Sequence, residues 1–248
     1  MNIDQTLSSI KSKLITLNSQ QNWELTLYPW LRTELTYTSN SIEGNTLSLI
    51  ETSMVINENQ SIAGKNLREI YEAQNHANAW DWIIENLVNS DVKLLSQDNF
   101  LKIHSYILKN IDEANAVKYR SVPVRISGSM TIFPNPLKVD FLMNQIFGWL
   151  NAQVFDTPAN ILRVACELHL KTVKVHPFTD GNGRSCRLIM NTILMQHGLP
   201  PIDILPINRL KYLEALENSP VENPSKFLNF LLEQYDENLD EYLRTFEG

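Results

Sequence analysis

Residues 176–187 read HPFTDGNGRSCR. Two of the chain's eight glycines, Gly181 and Gly183, fall within three positions, immediately before an apolar-periodic helix. A glycine loop opening into a helix N-terminus is a ready anion site, because backbone N–H groups point outward and the helix dipole favours negative charge. Glycine also lets the backbone approach a phosphate with no Cβ in the way. Arg184 and Arg187 stand three apart in the first turn of that helix and so share a face. Cations there oppose the dipole, and a bound polyphosphate would offset that penalty, since guanidinium forks match phosphate oxygens. Asp180 is the one carboxylate in the positive cluster, the natural holder of a hard cation such as Mg²⁺ bridging phosphates. His176 stands just ahead of the loop as a candidate general base near neutral pH. A helix-capping turn with surface arginines and a buried histidine accounts for any one of these residues. It does not account for all of them within twelve positions, which together suit transfer chemistry at a nucleotide phosphate.

Around this segment the chain reads mostly at helical period. Ile3, Leu7, Ile10, Leu14 and Leu17 mark a first helix. Pro29 is placed at the first turn of a second running to about Ile42. Thr46 is expected to cap a third, 47–57, and 66–87 reads as a long fourth. Ser96 introduces another. Further helices are expected at 139–150, 158–175, 184–197, 209–216 and 225–243. Residues 117–137 depart from this pattern. Val122, Val124 and Ile126 alternate, Ser127, Gly128 and Ser129 supply a turn, and 131–133 run back toward Pro134 and Pro136, predicting one short β-hairpin. The fold class is therefore mainly α with a small hairpin flap. No repeat or low-complexity linker marks a domain boundary.

The bulk numbers narrow the function. A net charge of −7 argues against a broad nucleic-acid surface but permits a local phosphate pocket. Cys166 and Cys186 are too few for a disulfide framework, so they read as buried thiols of a reducing cytoplasmic compartment. No secretory leader or membrane-length apolar run is expected. His169 and His176 could share a helix face as metal ligands, but a well-spaced cysteine or second carboxylate is missing from that face. Trp23, Trp30, Trp80, Trp82 and Trp149 read as core, Cys186 as a packing residue, and Lys65, Arg68 and Glu69 as a solvated helix face, with Glu72 and Asn75 as candidates to line the nucleotide end.

HPFTDGNGRSCR matches throughout the motif H-x-F-x-D/E-G-N-G-R-x-x-R, and on this basis the chain resembles the Fic family. KYRSVPVRISGS…FPNP is similar to the family's flap, and ELHLKTVKVHPF to the helix that leads into its active loop. This family resemblance implies a soft division into an N-terminal helical region (1–90), a core (91–205, flap 122–133) and C-terminal helices (206–248). The resemblance implies transfer of AMP from ATP to a protein hydroxyl. It implies His176 as base, and Asp180 as the Mg²⁺ ligand between α- and β-phosphates. Gly181, Asn182 and Gly183 would form the anion hole, with Arg184 on the β-phosphate, Arg187 on the γ-phosphate and Phe178 as an anchor. The flap (Val122, Val124, Ile126, Ser127, Gly128) would dock an extended stretch of the target by main-chain pairing. Phosphate-transferring relatives carry a larger basic residue where this chain has Gly183, so nucleotidyl transfer is expected.

Farther upstream, TSNSIEGN (38–45) raises a separate problem: Glu43 lies at the end of a helix, where partial negative charge favours cations. Ser39 to Gly44 fit the inhibitory motif S/T-x-x-x-E-G/N found in one subgroup of the resembled family. That implies Glu43 pairing with Arg187 to deny it the γ-phosphate, and Ser39 bonding near the anion loop. De-AMPylation, another nucleotide, or a quiet nucleotide-binding regulator stay open as alternatives. The expected partners are ATP and a protein target, with a homodimer among the options for assembly.

Overall fold

The computed structural model describes residues 3–90, 95–126 and 128–247. Among these, ten α-helices and no strand are found: α1 Ile3–Asn18, α2 Trp23–Ile42, α3 Leu49–Glu58, α4 Leu67–Ile83, α5 Gln97–Ile107, α6 Val139–Asn151, α7 Pro158–Val175, α8 Asn182–Gln196, α9 Arg209–Glu217 and α10 Ser225–Arg244. No helix among them is long and apolar enough to cross a membrane.

The centre is α8. Every residue from Arg184 to Gln196 is buried, as befits a helix covered on all sides. It packs along α7 and against α5, α2 and the end of α4, while α1 lies along α10. One apolar cluster runs from Ile10 to Tyr242, so the first and last helices share a core with the middle of the chain. A small second cluster, Leu47, Val55, Ile70 and Ala73, joins α3 to α4. Trp23 and Trp80 are buried, and Trp30, Trp82 and Trp149 pack against the same core.

Several local expectations need correction. Helix α2 starts at Trp23, so Pro29 lies inside it rather than at its first turn. A proline there removes one N–H and frees the carbonyl four residues back, which belongs to the exposed Leu25 (77% exposed), where water can satisfy it. Ser48, not Thr46, caps α3: its hydroxyl accepts from Glu51 N–H while Glu51 returns a bond to Ser48 N–H. The fourth helix ends in a π-helical turn, Ile84–Val88.

The predicted hairpin forms no strand ladder among the described residues. Ser127 lies outside them. The segment leaves α5's connection, turns at Gly128 (φ +82°) and returns, with one backbone bond across the turn, Ser129 N–H to Ile126 C=O at 3.2 Å. Two side chains do the work of a ladder. Arg120, 4% exposed, donates to Val122 C=O (3.0 Å) and Pro134 C=O (2.7 Å), tying both feet of the flap together. Glu217 at the end of α9 accepts from Met130 N–H (3.1 Å) and from the hydroxyls of Ser129 and Thr131 (2.7 and 2.9 Å). Pro123 lacks an N–H, and Glu217 takes one that a ladder would use, so an isolated two-stranded ribbon gives way to a latched loop. Val122, Ile126, Met130 and Ile132 stay exposed on it.

Candidate active site

Helix α7 begins at the cap Thr157, whose hydroxyl accepts from Asn160 N–H, with Pro158 at the first helical position. It ends at His176, which takes the left-handed conformation (φ 51°, ψ 62°) and donates its N–H to Thr172 C=O at 3.0 Å. Glycine or asparagine usually fills such a C-terminal position, so a histidine held there carries backbone strain. Arg120 fixes it from behind, donating to His176 C=O at 2.7 Å and to Val175 C=O at 3.3 Å. The imidazole stacks on Phe133 of the flap, ring centroids 4.3 Å apart. Burial, then the Arg120 charge, push its pKa down to about 4, so the ring is neutral and able to accept a proton.

The loop then turns back on itself. Phe178 is fully buried and stacks on His104 at 3.5 Å. Asn182 accepts from Phe178 N–H and donates to Phe178 C=O, both at 2.9 Å. Its side chain therefore clamps the loop, and only its backbone is free for an anion. Gly181, at φ +76°, caps α8, and an added Cβ would press on Ile107 at 3.0 Å. The first N–H groups of α8, at Asn182, Gly183 and Arg184, have no intrahelical acceptor.

Glu43 occupies the space above them. Its Oε1 accepts from Arg187 Nη2 at 2.8 Å, and a Cβ on Gly183 would collide with the carboxylate. Helix α2 closes in a Schellman motif: Asn45 N–H bonds Asn40 C=O at 3.1 Å and Gly44 N–H (φ +97°) bonds Ser41 C=O at 3.1 Å. The other two terminal carbonyls are taken by arginines. Arg187 Nη2 bonds Ser39 C=O at 2.9 Å, and Arg209 Nε bonds Ile42 C=O at 2.7 Å. The charge problem at each helix end thus resolves in space. The acid ending α2 lies over the N-terminus of α8, and the cation beginning α8 caps the C-terminus of α2. The hydroxyl of Ser39 accepts from Arg187 Nε at 2.9 Å, on α8 just beyond the loop. Tyr212 of α9 completes the seat, with its hydroxyl 3.4 Å from Arg187 Nη1 and 2.9 Å from His169 Nε2.

Arg184 and Arg187 start on one face of α8 but meet different partners. Arg184, 2% exposed, lies between Glu72 of α4 (3.1 Å) and Asp180 (3.3 Å), and its Nε is buried without a hydrogen-bond partner. Asp180 Oδ1 also accepts from Gly181 N–H at 2.6 Å, and Oδ2 from Arg68 Nη2 at 2.5 Å. Burial works against the Asp180 charge, but Arg184, the Gly181 N–H and Arg68 outweigh it and hold its carboxyl below the usual range. Arg68 is therefore no solvated bystander. Glu72 bonds Asn45 Nδ2 at 3.0 Å, so it links the upstream motif to Arg184. Asn75 supports the backbone instead, donating to the carbonyls of Ile107 and Lys109. Glu69 caps its own helix, and Lys65 holds Thr46 and Glu51.

A cleft of about 480 Å³ opens over the loop. His176, Asn182, Gly183, Arg187 and Glu43 form its floor, with Phe133 and Glu217 on its rim. Asp180 and Arg184 lie outside this lining, on the α4 side. Among the described residues no group of three His, Cys, Asp or Glu converges. An ionised Asp180 that already faces a guanidinium fits a divalent cation brought in on a polyphosphate.

Residues 94–194 match the model of the Fic/DOC family. These residues are a Fic-family domain. Over 207 residues the chain is 34% identical to a protein adenylyltransferase Fic of Culex quinquefasciatus, covering 84% of this chain and 41% of that protein. It is 33% identical over 211 residues to protein adenylyltransferase fic-1 of Caenorhabditis elegans, covering 84% and 40%. The chain thus spans about two-fifths of the length of these curated relatives. Among solved structures, a Fic-1 fragment from C. elegans superposes with a TM-score of 0.83 at 26% identity, over 98% of this chain and 71% of that one. A Fic domain containing signaling protein from Bacteroides thetaiotaomicron shares the fold, with a TM-score of 0.86 at 22% identity over 98% and 97%. The residues around this site that sequence reading missed as site residues are Arg68, Arg120, Tyr212, Arg209 and Glu217. All except Arg120 lie outside 94–194, and no local pattern marks any of the five.

Proposed function

We propose that the chain is a self-inhibited protein adenylyltransferase, transferring AMP from MgATP to a Ser, Thr or Tyr hydroxyl of a target protein. The observation that supports this reading most directly is the Glu43 carboxylate lying over Gly183 and bound to Arg187 at 2.8 Å, an acid in the place of a phosphate. With Glu43 withdrawn, the N–H groups opening α8 and the guanidinium of Arg187 face the same cleft and can take a polyphosphate. Asp180 would hold Mg²⁺, which when bound supplies charge neutralisation to the polyphosphate. The neutral His176 takes the proton of the target hydroxyl as its oxygen bonds the α-phosphorus. The α–β anhydride bond breaks and pyrophosphate leaves. The latched flap, with its exposed apolar side chains above His176, would hold the target so that attack is in line. Two buried free thiols support a reducing, cytoplasmic setting.

Incubation of Glu43→Gly with each nucleoside triphosphate and Mg²⁺, read by intact mass, tests the reading. The expected product is an AMP adduct formed from ATP on the chain itself or an added target. Nucleotide binding with no adduct would replace it with a quiet regulator.

A further inference from the structure

The contact between Arg68 and Asp180 has no part in the scheme above, and it occupies one oxygen of the carboxylate that scheme gives to a cation. Of the two Asp180 oxygens, Oδ1 faces inward, taken by Gly181 N–H at 2.6 Å and Arg184 at 3.3 Å. Oδ2 meets only Arg68 Nη2, at 2.5 Å, among the bonds Asp180 makes. Arg68 is the second residue of α4, where a cation opposes the helix dipole and contributes nothing to the cap, which Asn66 and Glu69 provide. Its position is explained by its partners. Its Nε also bonds Glu72 Oε1 at 3.2 Å, so it holds a second carboxylate when the first is withdrawn. The Arg68 side chain is 56% exposed, against 3% for Arg184, and so can swing into water while Arg184 cannot.

We infer that Arg68 is the exchangeable counter-ion of the cation site: its guanidinium orients Asp180 by holding Oδ2, and a divalent cation must displace it from that oxygen. Arg68 then retreats onto Glu72 and sets how much cation the site demands. This rests on the assignment of Asp180 as the cation ligand. Arg68 is a positioning residue that competes with the cation, so removing it tightens cation binding instead of weakening it.

The test titrates the Mn²⁺ complex of an ATP analogue with a non-cleavable α–β bridge into the full chain and follows binding by calorimetry for the parent, Arg68→Ala, Arg68→Lys and Asp180→Asn, with circular dichroism confirming each fold. The binding that disappears in Asp180→Asn is the signal of interest. Arg68→Ala should tighten that component by about 5-fold, the upper range for losing a competing exposed ion pair. Arg68→Lys, still a cation but without the planar fork, should fall between. Unchanged or weaker binding of the complex in Arg68→Ala, with the component still lost in Asp180→Asn, would overturn the competition and leave the cation assignment standing. Parent-like binding in Asp180→Asn would remove that assignment, and this inference with it.

Discussion

Two arginine–carboxylate pairs grip the glycine loop from opposite sides, with their polarity reversed. Toward α2, the arginine belongs to the loop's helix and the acid, Glu43, comes from outside. Toward α4, the acid, Asp180, belongs to the loop and the arginine, Arg68, comes from outside. They differ in depth. The Arg187 side chain is 6% exposed and makes four hydrogen bonds to three residues, Ser39, Glu43 and Tyr212, whereas Arg68 is 56% exposed and shares water. A buried guanidinium that loses its acid must find another anion, and that demand can exceed about 3 kcal/mol. A half-exposed one falls back on solvent, at a cost of about 1 kcal/mol or less. The deep pair is suited to control activity and the shallow pair to tune occupancy.

The largest effect concerns the cleft between the pairs. In the Glu43→Gly background, His176→Ala should lower AMP transfer by about 10²–10⁴-fold, the usual contribution of a positioned base. Nucleotide affinity by calorimetry should hold steady; a comparable loss of affinity would make His176 a binding residue.

Acid should then separate the two sides. Burial pushes the pKa of His76 and His169, which flank Arg187, down to about 3, with the Arg187 charge adding to it. Burial likewise brings His176 to about 4. Their folded values lie below the unfolded value of about 6.5, so the unfolded chain binds more protons in between. Their contribution to stability is complete above about pH 6.5 and is lost as pH falls toward 4 and below. Thermal melts should drop steadily over that interval. Added salt should leave this slope nearly unchanged, because the groups are shielded from solvent.

Smaller changes probe each pair's support. Tyr212→Phe removes the hydroxyl shared by Arg187 and His169 and should cost about 1 kcal/mol, a Tm fall of about 2–4 °C for a chain of this size. Arg68→Ala should shift Tm by less than about 2 °C, in keeping with an exposed pair. A larger fall for Arg68 than for Tyr212 would reverse the ranking of the two sides.

What could be read from the sequence followed how local the signal was. Helix α7 has the expected bounds because Thr157-Pro158 starts it and His176-Pro177 stops it, each within a few residues. The motif and the Glu43–Arg187 contact were reachable because two short patterns each name their partner. The start of α2 was misplaced because Pro29 carries a strong initiation signal, while the surface that tolerates it mid-helix is tertiary. The flap's alternation suggested a ladder, but Glu217 and Arg120 hold it through contacts that no nearby residue announces. Arg68 stood in plain view as one cation on a polar helix face. Its distinguishing feature is Asp180, 112 positions away, which only the fold brings to it.

The most direct test of the account compares AMP incorporation from MgATP by the parent and by Glu43→Gly at equal protein concentration. If Glu43 holds Arg187 from the phosphate with about 2 kcal/mol, reduced from the fully buried case because the acid is partly exposed, the variant should be about 30-fold faster. Equal rates, with nucleotide bound equally well to both, would contradict it.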